Sequence, residues 1–243
     1  MKNEKSKQKM ILFYFTCICL FMLFLAFSYS AFGKLVTMAS QNNITDEKPV
    51  IIIDSGHGGE DGGATGSDGT LEKDINLSIS NKLKKFFLQG GFEVKTVREE
   101  DKSVCDDGLQ TVKERKKSDI HNRLDMINSD ERNIAISIHQ NKFEQSKYSG
   151  TQTFYSPNGD DSKALADCIQ KAVVAFLQPD NTRECKKADK NIYLLYNAKV
   201  PSVIVECGFL SNEAELNKLK DSDYQNKMAY SIYFGFLQYY NLY

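Results

Sequence analysis

The chain has 243 residues, of which 41% are hydrophobic, and its formal net charge is −1. A near-neutral charge argues against nucleic acid as a partner, because surfaces that track phosphates usually carry a clear excess of basic residues. About 200 residues follow the N-terminal region, which suits one sizeable domain and leaves little room for a second.

The N-terminal segment has the features of an export signal. Residues 1–9 form a basic stretch that contains four lysines, and residues 10–32 form a long apolar run. Positive charge ahead of an apolar segment indicates export with the N-terminus kept inside. The run is longer than the usual signal-peptide core and approaches the roughly 20 residues that span a bilayer. We therefore predict a signal anchor or a cleaved signal peptide at the cytoplasmic membrane, with the domain exported to the outer side of that membrane.

The exported part is predicted to be a linker followed by one domain. Residues 33–49 are polar and lack periodicity, which indicates a linker, and the domain covers residues 50–243. Four cysteines lie in this part, namely Cys105, Cys168, Cys185 and Cys207. No two of them form a Cys-x-x-Cys pair, and a domain of this size does not need disulfides to fold. We therefore predict neither a structural zinc knot nor a disulfide.

Strands and helices are predicted to alternate along the domain. Val50–Ile53 is a run of branched residues typical of a strand buried on both faces, and a glycine-rich loop follows it. The other predicted strands cover residues 92–97, 134–138, 151–155, 192–195 and 203–205, and the predicted helices cover residues 71–89, 114–128, 161–177 and 224–239. This alternation favours an α/β fold, with a mainly parallel twisted sheet of about six strands and helices on both faces.

Three predicted strands lead into a residue that can bind metal or transfer protons. His57 follows the first strand, His139 ends the strand at 134–138, and Glu206 ends the last strand. Parallel strands deliver their carboxyl ends to one edge of a sheet, so these residues could meet in space. Two histidines and a carboxylate with an open fourth position would form a catalytic zinc site. A second carboxylate beside that site would supply acid–base chemistry.

The residues alone leave the carboxylate ligand open between Glu72 and Asp54. Glu72 opens a predicted helix, where an acidic residue is expected for helix-dipole reasons alone. Asp54 ends the first strand and could instead orient a ligand histidine through a hydrogen bond. Glu206 is the candidate general base, because a buried carboxylate without a partner costs several kcal/mol and so requires a reason. His121 lies within a helical pattern and is predicted to be a surface residue.

The motifs around these residues resemble those of the zinc-dependent N-acetylmuramoyl-L-alanine amidases of the amidase-3 family. The resemblance covers nearly all of residues 50–241 and rests on four features: Ile-Asp-Ser-Gly-His57-Gly-Gly, Glu72 at the start of the first helix, Ser137-Ile-His139-Gln-Asn141, and Val-Glu206-Cys-Gly-Phe-Leu-Ser-Asn212. It implies that His57, Glu72 and His139 bind one zinc ion and that Glu206 is the catalytic carboxylate. One departure is Gln140, where the family often has Ala, and it could affect substrate selectivity.

The resemblance implies hydrolysis of the amide between N-acetylmuramic acid and L-alanine in peptidoglycan, which releases stem peptides. The short single-domain form looks most like the spore-cortex amidases, in which this cleavage leads to muramic lactam. Arg123, Asn141 and Asn212 are candidates for gripping the substrate, and activity could require a protein activator. Two alternatives stay open: a membrane-tethered domain that binds peptidoglycan without cleaving it, and a zinc peptidase that cuts the stem peptide.

Overall fold

The computed structural model describes residues 48–242, and Met22 alone from the segment before them. The export segment and the linker predicted for residues 1–49 lie outside these described residues, except for Met22, Lys48 and Pro49. No helix within the described part of the chain is both long enough and apolar enough to span a bilayer.

A six-stranded sheet lies at the centre of the domain. Its strands are β1 (Val50–Ser55), β2 (Glu93–Thr96), β3 (Asn133–Asn141), β4 (Gln152–Tyr155), β5 (Lys186–Lys187) and β6 (Ser202–Phe209). Their order across the sheet is β2-β1-β3-β6-β4-β5. The first four in this order run parallel, β4 pairs with β6 antiparallel, and β5 pairs with β4 parallel. The predicted α/β fold with a mainly parallel sheet of about six strands is confirmed.

Helices cover both faces of this sheet. They are α1 (Glu72–Gln89), α2 (Val112–Ile127), α3 (Asp160–Phe176), α4 (Tyr193–Asn197), α5 (Glu213–Lys220) and α6 (Ser222–Tyr240). Successive strand residues point to opposite faces. Ile51 and Ile53 therefore pack with α1, α3 and α6, whereas Val50 and Ile52 pack with α2 and α4. Each fully buried isoleucine contributes about 2 kcal/mol of hydrophobic stabilisation.

The segment 192–195 does not form the predicted strand, because Tyr193–Asn197 is the short helix α4. A short apolar run is compatible with either state, so periodicity alone cannot decide between them. The sheet decides, since β6 already has β3 on one side and β4 on the other. The segment instead lies over a face of the sheet, where Leu194 and Leu195 are buried. The sixth strand is the two-residue β5, and α5 is a helix that the periodicity did not predict.

The parallel strands bring three loops to one edge of the domain. β1, β3 and β6 end at this edge, and the glycine-rich loop after β1 leads directly into α1. His139 of β3 lies directly opposite Glu206 of β6 in the parallel register. Paired residues on neighbouring strands point to the same face of a sheet. The fold therefore brings residues from distant parts of the chain to a common position.

Candidate active site

His57, Glu72 and His139 form a compact cluster at this edge. Their potential ligand atoms all lie within 4.8 Å of one another. Nε2 of His57 is 3.3 Å from Oε2 of Glu72, and Nδ1 of His139 is 2.9 Å from Oε1 of the same carboxylate. The structure thus places Glu72, rather than Asp54, between the two histidines.

The carboxylate of Glu72 is held in place from several sides. It accepts hydrogen bonds from the backbone N–H groups of Ala64 (2.8 Å) and Gln140 (3.0 Å), and from Nδ2 of Asn76 (3.3 Å). Burial alone would raise the pKa of Glu72, but the hydrogen bonds to the two histidines hold that pKa well below its usual range. Glu72 therefore stays ionised although it is buried, and it does more than complement the dipole of α1.

His57 occupies an unusual backbone conformation. Its φ is 60°, and among the described residues no other non-glycine residue has a positive φ. Such a conformation costs about 1–3 kcal/mol and persists only where the surroundings impose it. Arg123 donates to the carbonyl of His57 (2.7 Å), and Arg98 donates to the carbonyls of Ser55 and Gly56 (both 2.9 Å). Two buried guanidinium groups thus hold this loop from below.

The ring of His57 lies between two carboxylates. Its Nδ1 is 2.8 Å from Oδ2 of Asp61, and its Nε2 faces Glu72. Burial would lower the pKa of His57, yet the hydrogen bonds to Asp61 and Glu72 outweigh burial and raise it to about 9. The cluster thus stabilises added positive charge.

The ring of His139 packs directly on the backbone of Gly56. A Cβ atom at Gly56 would lie 2.2 Å from Nε2 of His139, closer than non-bonded atoms can approach. Only glycine leaves room for the imidazole there. Because Nε2 faces the backbone, Nδ1 is the nitrogen that His139 presents to Glu72.

Glu206 lies beside this cluster and is half-buried, with its Oε2 atom shielded from solvent. Its Oε2 has no hydrogen-bond partner among the described residues. Burial is the main cause that raises the pKa of Glu206 to about 7, with Glu72 adding to it and the histidines opposing it. A carboxylate with a pKa near neutrality can both accept and return a proton at physiological pH.

The donor set of this cluster fits a zinc ion. Two imidazole nitrogens and a carboxylate are the ligands found in many hydrolytic zinc sites, which keep a fourth position open. A divalent cation would supply the positive charge that otherwise arrives as protons on His57. It would also place positive charge near Oε2 of Glu206, which has no hydrogen-bond partner among the described residues. The cluster could therefore hold one metal ion.

The guanidinium of Arg123 is bound inside the protein, although the residue also lines the cavity beside the two histidines, and its contact with substrate stays a prediction. Arg123 is 3% exposed and binds the carboxylates of Asp54 (2.5 Å) and Asp119 (2.6 Å). Asp54 in turn accepts from Oγ of Ser137 (2.6 Å) and has no hydrogen bond to a histidine. The predicted hydrogen bond between Asp54 and a ligand histidine is therefore absent. Asp54 instead binds Arg123, which holds the His57 loop.

Asn212 and Gln140 also have internal roles. The amide of Asn212 caps α5 by accepting from the N–H of Glu215 (3.1 Å) and donates to the carbonyl of Ser146 (3.0 Å). Gln140 is buried and donates to Oδ1 of Asn76 (3.1 Å), beneath Glu72. These contacts give both side chains a structural role, and their effect on substrate stays a prediction.

Two further residues from the sequence analysis have simple positions. Asn141 ends β3 at the edge of the sheet, and its backbone carbonyl accepts from the N–H of Leu210 (2.8 Å). Its side chain is half-buried, and its contact with substrate stays a prediction. His121 lies on α2 away from the cluster, where its ring is 5.4 Å from that of Tyr193.

The sequence analysis assigned no role to Asp61, Asn76 or Arg98. Asp61 follows His57 by four residues in the glycine-rich loop, and Asn76 follows Glu72 by one helical turn. These spacings are a weak signal, because acidic and amide residues are common in such positions. The role of Arg98 depends on a contact between distant segments, which one sequence does not reveal.

A cavity of about 370 Å³ opens beside the two histidines. One wall is α2 and the other is the segment at residues 191–194. Arg115 and Lys116 of α2 line it, but each is paired with an acid from the loop, Glu60 (2.5 Å) and Asp61 (3.0 Å) respectively. The two basic side chains of this wall are therefore already neutralised by acids of the loop.

Comparison with known proteins shows a consistent set of relatives. A family model described as N-acetylmuramoyl-L-alanine amidase matches residues 51–238. The chain is 37% identical over 191 residues to the germination-specific N-acetylmuramoyl-L-alanine amidase of Bacillus subtilis, a match that covers 79% of each chain. The CwlD amidase of Clostridioides difficile, solved in complex with the GerS lipoprotein, has a TM-score of 0.78 and 43% identity over 81% of this chain and all of its own.

A second solved structure has a similar fold at lower identity. It is an N-acetylmuramoyl-L-alanine amidase from Clostridium difficile 630, with a TM-score of 0.68 and 27% identity. The match covers 80% of this chain and 97% of that one.

Proposed function

The chain belongs to the amidase-3 family of N-acetylmuramoyl-L-alanine amidases, and on this premise we propose that it hydrolyses its peptidoglycan substrate with one zinc ion bound by His57, Glu72 and His139. One observation carries the proposal. Two imidazoles and a carboxylate converge within 4.8 Å of one another, beside the shielded Oε2 atom of Glu206, which has no hydrogen-bond partner among the described residues.

The residues of the site divide the chemistry between them. When bound, the zinc ion would act as a Lewis acid that makes water a stronger nucleophile and polarises the amide carbonyl. Glu206 takes the proton that water loses as the new C–O bond forms. It then gives that proton to the nitrogen of L-alanine as the C–N bond breaks. The products are a free lactyl carboxylate on the sugar and a stem peptide with a free amino terminus.

We further propose that the chain acts in the spore cortex, where stem-peptide removal leads to muramic lactam. The name of the Bacillus subtilis relative, a germination-specific amidase, supports this role. The structure of the CwlD amidase with the GerS lipoprotein supports a protein partner for this chain as well.

Digestion of purified peptidoglycan tests the proposed reaction. We expect the wild type to release stem peptides that begin with L-alanine. Glu206→Ala should retain its zinc, while its activity falls by about 10²–10⁴-fold, the usual contribution of a general base. Glu213→Ala is the matched control, because this exposed carboxylate in the first turn of α5 lies outside the site. Its activity should equal that of the wild type.

Two outcomes would contradict the proposal. Products cut within the stem peptide would identify a peptidase instead. A wild type that binds zinc but releases nothing, from cortex or vegetative peptidoglycan and with or without a candidate activator, would indicate a domain that only binds the wall.

A further inference from the structure

We infer that Asp61 is a positioning residue that holds the ring of His57 in the orientation and tautomer needed to bind a metal ion. This inference rests on the proposed zinc site. It concerns a residue outside the ligand set, and the contacts of the His57 loop carry it.

The two nitrogens of His57 face two different carboxylates. Nδ1 lies 2.8 Å from Oδ2 of Asp61, and Nε2 lies 3.3 Å from Oε2 of Glu72. A carboxylate can only accept a hydrogen bond, so Nδ1 carries a proton that it donates to Asp61. A metal ion held in the cluster would replace the proton on Nε2 alone, because the lone pair of Nε2 points into the cluster. A metal-binding histidine commonly has such a carboxylate behind it, which fixes the ring and strengthens the ligand.

Asp61 is itself fixed as a carboxylate. Its second oxygen, Oδ1, accepts from Nζ of Lys116 on α2 at 3.0 Å. Asp61 thus connects the ring of His57 to a helix of the scaffold.

Of the three proposed ligands, His57 depends most on such a contact. His139 lies within β3, and its ring packs on Gly56. Glu72 opens α1 and accepts three hydrogen bonds besides those of the histidines. His57 lies in a loop, at positive φ, with glycines at positions 56, 58 and 59. Arg123 fixes its backbone but not its ring. Asp61 supplies the missing constraint.

Zinc affinity measures this role directly. We would determine it for the full chain by competition with a chromophoric chelator, for the wild type, Asp61→Ala and Asp61→Asn. Loss of such a contact typically weakens metal binding by about 10–100-fold, which we expect for Asp61→Ala. The zinc affinity of Asp61→Asn should lie between those of the wild type and Asp61→Ala, at least about fivefold weaker than the wild type. The amide oxygen of the asparagine still accepts from Nδ1 but lacks the negative charge.

A matched control and a spectroscopic signature accompany the affinities. Asp68 lies in the same loop, but its carboxylate pairs with Lys220 (2.5 Å), so Asp68→Ala should bind zinc as the wild type does. In the ¹H–¹⁵N NMR spectrum of the zinc-loaded wild type, the Nδ1 proton of His57 should be protected from exchange with solvent. That protection should disappear in Asp61→Ala.

The outcomes separate the inference from the function on which it rests. If the wild type binds no zinc, the proposed zinc site fails. If the wild type binds zinc and Asp61→Ala binds it equally well, or Asp68→Ala loses as much affinity, the role of Asp61 is overturned. Should Asp61→Ala fail to fold, Asp61→Asn decides, because wild-type affinity in this isosteric variant also overturns the role.

Discussion

Among single residues, Asp54 and Arg123 form the buried ion pair that supports the site from below. Both side chains are almost fully buried, and Arg123 continues to the carbonyl of His57. Burial alone would raise the pKa of Asp54, but the Arg123 charge and the hydrogen bond from Ser137 outweigh burial and hold that pKa below its usual value. Removal of one partner from such a pair leaves the other charge buried and uncompensated, which costs about 3–5 kcal/mol.

We predict that Asp54→Asn lowers the free energy of unfolding by about 3 kcal/mol at pH 7. A carboxylate with a depressed folded-state pKa stabilises the protein above its unfolded pKa, near 3.9, and this contribution is lost as the pH falls through the lower folded pKa. The difference between wild type and variant should therefore be constant above about pH 5 and shrink below it. Urea unfolding with metal removed, followed by circular dichroism at several pH values, measures it.

The control for this prediction is Asp125→Asn, an exposed residue of the same helix as Arg123. Its effect should stay within about 0.5 kcal/mol at every pH. An Asp54→Asn penalty that is as large at pH 3 as at pH 7 would show that the carboxylate charge is not its cause.

The sequence was informative about site residues that follow an apolar strand. His57, His139 and Glu206 could be singled out, because a polar residue at the end of a buried strand is unusual and parallel strands share an edge. Glu72 needed the family resemblance, since its position in a first helical turn has an ordinary explanation. Asp61 could not be singled out, because its role depends on which way the ring of His57 turns.

At the scale of elements, α6 and α3 cross with their backbones in close contact. Gly235 of α6 approaches the backbone of α3 so closely that an added Cβ would lie 2.5 Å from Cα of Ile169. Behind this crossing lie the buried residues Ile232 and Phe236. The crossing thus depends on a residue without a side chain.

We predict that Gly235→Ala destabilises the protein by about 1–2 kcal/mol. Alanine favours a helix over glycine by about 1 kcal/mol. Overpacking typically costs 1–3 kcal/mol, and here the obstacle is backbone, so we place its cost at the upper end. The clash should therefore win over the helical preference. Thermal unfolding measures the change, with Gln238→Ala on the exposed side of α6 as control. A Gly235→Ala variant more stable than the wild type would contradict this account.

The type of each element was predicted correctly where the hydrophobic pattern is long, and the prediction failed where the pattern is short. The four long helices α1, α2, α3 and α6 were predicted as helices, as expected for strongly periodic segments, and their predicted ends lie within two residues of the observed ends. α4 has five residues and β5 has two, so neither completes a period that a sequence can display. Their states depend on which edge of the sheet is free, which is a property of the assembled fold.

In the molecule as a whole, the start of the domain and the active site lie at opposite ends of β1. Lys48 and Pro49 lead into the first residue of β1, whereas His57 follows its last. The parallel strands β3 and β6 repeat that direction and deliver His139 and Glu206 to the same end. The site therefore lies at the edge of the sheet opposite to the one where the domain begins.

We propose that residues 1–32 direct export and that the domain works outside the cytoplasmic membrane. The basic stretch followed by a long apolar run supports this proposal. The full chain, produced in a bacterial host, should be in the membrane fraction or outside the cell, and a chain that begins at Lys48 should stay in the cytoplasm. The N-terminal residue of the mature protein distinguishes an anchor from a cleaved signal. Recovery of the full chain from the cytoplasm would contradict the proposal.

If residues 10–32 stay in the bilayer, the position of the site at the far end of β1 affects how far the site can lie from the membrane. The linker predicted for residues 33–49 can extend at most about 60 Å. The length of a six-residue strand such as β1 adds about 20 Å. The active site could then sweep a shell no thicker than about 80 Å above the lipid. An enzyme held so close to the membrane would cleave the innermost layer of peptidoglycan first. Its distance from the membrane would then limit which glycan strands it can reach.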